Sequence, residues 1–181
     1  MDTREGILYT IDGGYKPLVD SPNIFRKMIN DNIETEIYKI LLLNQDEIKK
    51  RSIGIVAIKE LTDTSVDLEL LDINLHGYSY ADIRKEMSVV KDYLQSIGIM
   101  YIDWKPDNVG ISHVDGKLKL FDFDASGRTN VDKTSWEIEA PAFFAYTKAV
   151  NAGMKTIVKI DNYAFDDGFH NTTKCHWCCM S

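Results

Sequence analysis

The chain has 181 residues, a formal net charge of −7 at neutral pH, and 44% hydrophobic and 27% charged side chains, an ordinary balance for one globular domain with a real core. The acidic surplus argues against a dedicated nucleic-acid binder, which would carry a basic face. No apolar run approaches the roughly 18 residues of a membrane span, and MDTREGILYT lacks the apolar stretch of a signal peptide, so an intracellular, cytoplasmic setting is expected.

In chain order, GILYTID and YKPLVDS flank Gly13-Gly14, a turn signal that predicts a hairpin. NIFRKMI reads as a third strand. NDNIETEIYKILLL reads as a helix capped by Asn30 or Asp31, with Ile33, Ile37, Ile40 and Leu41 on one face. NQDEIKKRS is expected to be a loop or a frayed helix end, and IGIVAIKEL and SVDLELLDI to be two strands turning at Thr62-Asp63-Thr64. Ser79 with Asp82 forms a capping-box signature. The helix behind it carries Ile83, Met87, Val90 and Leu94 at helical spacing and stops at Gly98. A short strand, IMYI, leads into YIDWKPDN, and VGISHV and KLKLFDF pair as a hairpin across Asp115-Gly116. ASGRTNVDKTSWE looks loop-like, APAFFAYTKAVNAG reads as one helix, and the tail from Asp166 has no periodicity. Sheet first and helices after, with a boundary near Asp72–Gly77, predicts an α+β chain in two lobes.

The chemistry is concentrated in residues 103–122. Asp103 and Asn108 share a loop, and the hairpin that follows folds back on itself, so Asp122 at its end should meet them. Two carboxylates and an amide around one point suit Mg²⁺, a hard cation usually completed by phosphate oxygens and water. Lys105 adds positive charge where phosphoryl transfer needs it. A β-hairpin flanked by turn-forming Asp and Asn is the bland alternative, and it leaves Lys105 and Pro106 unexplained.

D-W-K-P-D-N (Asp103–Asn108) followed by Asp122-Phe123 resembles the catalytic and metal loops of eukaryotic-type (Ser/Thr) protein kinases, H-R-D-x-K-P-x-N and D-F-G. The resemblance implies a minimal two-lobed kinase-like fold with a reduced N-lobe sheet (about residues 1–74) and a truncated helical C-lobe (about 75–168). A cysteine-containing tail, 169–181, follows. The implied function is phosphoryl transfer to a Ser/Thr hydroxyl of a protein substrate, dependent on ATP and on Mg²⁺ or Mn²⁺. Asp103 would orient the hydroxyl or accept its proton, Lys105 would contact the γ-phosphate, and Asn108 and Asp122 would hold the metal. V-A-I-K (Val56–Lys59) spells the usual nucleotide-lysine signature, but Lys59 leaves too little chain before Asp103 for a helix and two further strands. Lys27, followed directly by a helix, is the better nucleotide lysine, with Glu36, or secondarily Glu34, as its ion-pair partner.

The chain departs from the family pattern in several places. The glycine-rich loop over ATP is reduced to Gly13 and Gly14. Tyr101-Ile102 replaces His-Arg, so activation by loop phosphorylation is not expected. Asp124 replaces the glycine of D-F-G and adds a carboxylate near the metal. Glu139–Ala142 resembles A-P-E, and Ile160–Phe165 resembles the start of the central C-lobe helix, which makes Asp161 a buried anchor for the catalytic loop. These departures keep a second function open: a pseudokinase that binds and modulates a partner kinase or other signalling protein. Phosphorylation of a small molecule is a third. Miniature proteins of this kind suggest a large DNA virus or an intracellular bacterium as source. All three cysteines crowd at the end, and Cys178-Cys179-Met180-Ser181 fits a prenylation box, with Cys175 available for a second lipid. Membrane association is expected only through that box; the alternatives are a tail of free thiols and, less simply, a zinc cluster with His176. His76 and His113 are expected in solvated turns, and Trp104 beneath the catalytic loop.

Overall fold

The structure, a computed structural model, describes residues 15–17, 21, 23–29, 32–141 and 143–170. The Gly13-Gly14 turn, the cap at Asn30 or Asp31, Ala142 and the C-terminal cysteines lie outside the described residues.

The described part is mixed α+β, with three small antiparallel sheets. Strands β1 (Tyr15–Pro17), β2 (Ile24–Met28), β3 (Ile58–Leu61) and β4 (Ser65–Glu69) form the first, in the order β1-β2-β4-β3. Between β2 and β3 lies helix α1 (Asn32–Leu43), followed by α2 (Gln45–Lys50). The polar segment after α1 is therefore helical. Ile48 anchors α2 in the core, and Asp46-Glu47 and Lys49-Lys50 sit at the ends where the helix dipole favours them.

Two predicted strands come apart. IGIVAIKEL is strand only over Ile58–Leu61, because Gly54–Val56 joins the lower half of the molecule: Leu120 N–H donates to Gly54 O at 2.8 Å and Val56 N–H to Leu120 O at 2.9 Å. Gly54 is required there, since a Cβ would lie 2.4 Å from the Leu118 carbonyl oxygen. SVDLELLDI breaks at Leu70, so that β5 (Leu71–Asp72) leaves the first sheet and pairs with β7 (Val109–Ser112), itself paired with β8 (Leu118–Leu120). An ion pair between half-buried Lys119 and buried Glu69 crosses the same junction. Glu69 accepts from Lys119 Nζ at 2.8 Å and is closely hydrogen-bonded by the Ser112 hydroxyl.

Helix α3 (Tyr80–Ser96) has the predicted capping box, with the Ser79 side chain accepting from Asp82 N–H and the Asp82 carboxylate accepting from Ser79 N–H. Ile83, Met87, Val90 and Leu94 are buried, as their spacing requires. The third sheet, β10-β9-β6, contains β6 (Ile99–Met100), β9 (Gly127–Thr129) and β10 (Trp136–Ile138). The segment expected to be loop-like is thus largely a hairpin. Its strands show no apolar alternation; Trp136 instead packs on Gly127, where a Cβ would meet the indole at 2.6 Å. Helix α4 is shorter than predicted, Phe144–Asn151, and α5 (Ile157–Gly168) runs past Asp166, because Phe165 and Phe169 continue its buried face. One core runs from Phe25 of the sheet to Phe169 beyond α5, and a smaller cluster gathers Met100, Ile102, Ala149 and Ile160. No helix among the described residues is long and apolar enough to cross a membrane.

Candidate active site

Strand β2 alternates, turning Phe25 and Lys27 inward. Lys27 is 6% exposed and makes a short ion pair with Glu34 of α1, while its Nζ also lies 2.6 Å from Asp122 Oδ1. One ammonium group thereby ties the sheet, the helix and the loop after β8. Glu36, the preferred partner in the sequence reading, is not used. It is exposed and pairs with Lys39 at 2.7 Å. The reason is the phase of the helix: Glu34, Ile37, Tyr38 and Leu41 share the buried face, and a residue two positions from Glu34 points away from it. Lys59 is exposed on β3.

The loop after β6 is held from below. Asp161 of α5 is fully buried; its Oδ1 accepts Ile102 N–H at 3.0 Å and Trp104 Nε1–H at 2.8 Å, and its Oδ2 accepts from Gln95 at 2.7 Å. These bonds hold Ile102 at φ +69°, a left-handed conformation costly for a β-branched residue. Asp103 lies directly after this turn, and Trp104 is buried against Phe165 and Phe169. Asp103 Oδ2 accepts from Asn108 Nδ2 at 2.9 Å and from Lys105 Nζ at 2.6 Å; Asn108 Nδ2 also donates to the Asp103 carbonyl at 3.0 Å. With its amide nitrogen engaged, Asn108 keeps Oδ1 as the end able to face a cation.

The hairpin β7–β8 closes as its length predicts. Phe121 N–H donates to the Asn108 carbonyl at 3.0 Å, placing Asp122 beside the loop. Asp122 itself has φ +62°. The next residue, Phe123, is fully buried, edge-on to Tyr38 of α1 at 5.8 Å and to Tyr101 at 5.2 Å. An aromatic column therefore joins α1 to the base of the site.

The charges are unbalanced. Four carboxylates (Glu34, Asp103, Asp122, Asp124) face two ammonium groups (Lys27, Lys105) around the site. Burial pushes the Glu34 carboxyl above its ordinary value despite Lys27. Burial and then the neighbouring Asp122 charge do the same to Asp124, whose Oδ1 is buried with no hydrogen-bond partner among the described residues. A surplus of negative charge with an orphaned carboxylate oxygen and the Asn108 amide oxygen fits a hard divalent cation. Among the described residues no three His, Cys, Asp or Glu side chains form a metal cage by themselves. A cation here would take further ligands from phosphate or water, as Mg²⁺ commonly does.

Of the predicted site residues, Lys27 contacts Asp122 directly, and Asp103 contacts Lys105 and Asn108; the two groups meet through the Phe121–Asn108 backbone bond, and Glu36 is outside both. No protein-family model matches this chain, and no curated protein matches it. The residues that sequence reasoning undervalued are Glu34, Tyr38 and Tyr101. Glu34 could have been found from its spacing to Ile37 and Leu41. The two tyrosines carry no local signal, since their contacts are with Phe121 and Phe123.

Proposed function

We propose that this chain is a small phosphotransferase of the protein-kinase type, transferring the γ-phosphoryl group of ATP to a Ser/Thr hydroxyl of a protein, on a reduced two-lobed scaffold. The observation that carries the reading is Lys27 bridging Glu34 and Asp122. A buried lysine on a strand, a helix carrying its glutamate, and two further strands of the same sheet, β3 and β4, before the Asp103 loop follow the order that the kinase resemblance implies. In this reading Lys27, oriented by Glu34, binds the α/β-phosphates. Asn108 Oδ1 and Asp122 would hold Mg²⁺, which when bound neutralises charge on the β- and γ-phosphates. Asp103 orients the substrate hydroxyl and takes up its proton, and Lys105 exchanges its ion pair with Asp103 for the transferring phosphoryl group. The ordered β9–β10 hairpin supports a site assembled without phosphorylation of that segment.

Asp124 favours a second reading, a binding module that modulates another kinase. Its buried carboxylate beside Asp122 opposes further negative charge such as a triphosphate. Radiolabelled ATP with Mg²⁺ or Mn²⁺, scoring autophosphorylation and a basic protein substrate, separates the two. Transfer by the wild type that Asp103→Asn abolishes supports the enzyme. A thermal shift on Mg-ATP without transfer supports the binding module, and neither signal refutes both.

A further inference from the structure

We infer that Asp124 is a further ligand for the divalent cation and makes the site take up that cation before the nucleotide; the inference rests on the phosphotransferase reading above. Asp124 lies two residues after Asp122, in a tight turn closed by Ser126 N–H donating to the Phe123 carbonyl at 3.1 Å. Phe123, Ala125 and Ser126 around it are fully buried, so the turn is fixed. The carboxylate it carries has one oxygen, Oδ1, buried and without a hydrogen-bond partner among the described residues. No other buried carboxylate oxygen among them is left in that state. Such an oxygen loses its water and gains nothing in return, and the Asp122 charge beside it adds repulsion. A divalent cation shared by Asp122 and Asp124 offsets both costs. Two carboxylates with the Asn108 amide oxygen, completed by water, make a set that Mg²⁺ and Mn²⁺ accept.

The order of addition follows from charge. Glu34, Asp103, Asp122 and Asp124 outnumber Lys27 and Lys105 by two, so an arriving triphosphate meets like charge. A divalent cation brings the same group to neutrality. Lys27 supplies a second reason. Its ammonium spans Glu34 and Asp122, and the Asp122 bond at 2.6 Å occupies a donor that phosphate would need. A cation that takes Asp122 turns that donor over to phosphate, while Glu34 keeps the lysine in place. Asp124 is the residue that lets the cation stay bound before any phosphate oxygen is there to complete its shell. The carboxylate that repels a bare triphosphate thus becomes the one that prepares the site for it.

The test is Asp124→Asn, which keeps the shape and removes the charge, in the full chain. Mn²⁺ binding is followed by electron paramagnetic resonance without nucleotide, and ATP binding by calorimetry in excess EDTA. Even outer partners of a metal site are worth about 10–100-fold in affinity, so a direct carboxylate ligand should be worth at least about tenfold. Wild type is expected to bind Mn²⁺ without nucleotide and to gain melting temperature from it. Asp124→Asn should lose about tenfold or more of that affinity, yet bind ATP in EDTA more tightly than wild type. A merely structural aspartate, or one that stays protonated, would not move the two affinities in opposite directions, and that result overturns the inference. Wild-type uptake of Mn²⁺ only when ATP is present overturns it too, and leaves the phosphotransferase reading standing. Wild-type protein that binds neither Mn²⁺ nor ATP, alone or together, overturns that reading itself. If Asp124→Asn does not fold, Asp124→Gly removes the whole carboxylate; the same opposed changes are expected, and unchanged Mn²⁺ affinity refutes the assignment.

Discussion

Replacing Glu34 by glutamine removes one partner from the ion pair that joins α1 to the sheet. The Glu34 and Lys27 side chains are 5% and 7% exposed, so the pair is buried. Removing one member of a buried pair costs about 3–5 kcal/mol, mostly through the charge left behind. Two features place this case at the lower end. Lys27 keeps Asp122 at 2.6 Å, and burial already disfavours the charged form of Glu34. A loss of about 3 kcal/mol, at about 2–4 °C per kcal/mol for a chain of this size, lowers Tm by about 6–12 °C. Thermal unfolding followed by circular dichroism measures this, and calorimetric titration with Mg-ATP should show weaker nucleotide binding. Glu36→Gln is the paired control; its exposed contact with Lys39 should leave both quantities unchanged. Equal damage from the two variants, or none from Glu34→Gln, would refute the assignment of Glu34 and the helix phase behind it.

Gly168→Ala would place a Cβ 1.6 Å from the Trp104 carbonyl oxygen, so α5 must move away from the Asp103–Asn108 loop; loss of cooperative unfolding by circular dichroism is expected. Gly153→Ala is the contrast, with open space around it and only the left-handed φ of +88° to oppose it, a cost of about 1–2 kcal/mol in a urea melt. Lys119→Met leaves Glu69 buried with only uncharged partners and should cost about 3 kcal/mol, whereas adding Glu69→Gln to it should recover most of the loss in a double-mutant cycle. Asp82, hydrogen-bonded by the Ser79 side chain and backbone, has its carboxyl held below the ordinary 3.8. A lowered acid contributes stability that is complete above its unfolded value and disappears as pH falls through its folded value. The Tm advantage of wild type over Asp82→Ala should therefore be constant near neutrality and shrink below about pH 4.

Much of the site was legible because its motif is local. Asp103, Lys105 and Asn108 share one loop, and a hairpin of readable length returns Asp122 to it through the Phe121–Asn108 bond. That Lys27, not Lys59, pairs with a glutamate of the helix that follows it was legible by elimination, since Lys59 leaves too little chain before Asp103 for a helix followed by two further strands. Helix α3 was also legible, because its cap and its apolar spacing agree. The β9–β10 hairpin was not, since a strand held by one tryptophan on one glycine shows no alternation.

The sequence alone determined which chemical groups are present and roughly where, because spacing along a loop and periodicity along a helix are local properties. Tertiary structure alone decided which side of α1 faces Lys27, where SVDLELLDI changes sheets, and that Tyr101 contacts both neighbours of Asp122. Each of these depends on contacts between residues far apart in the chain. There, burial and hydrogen bonding rather than local preference select one arrangement.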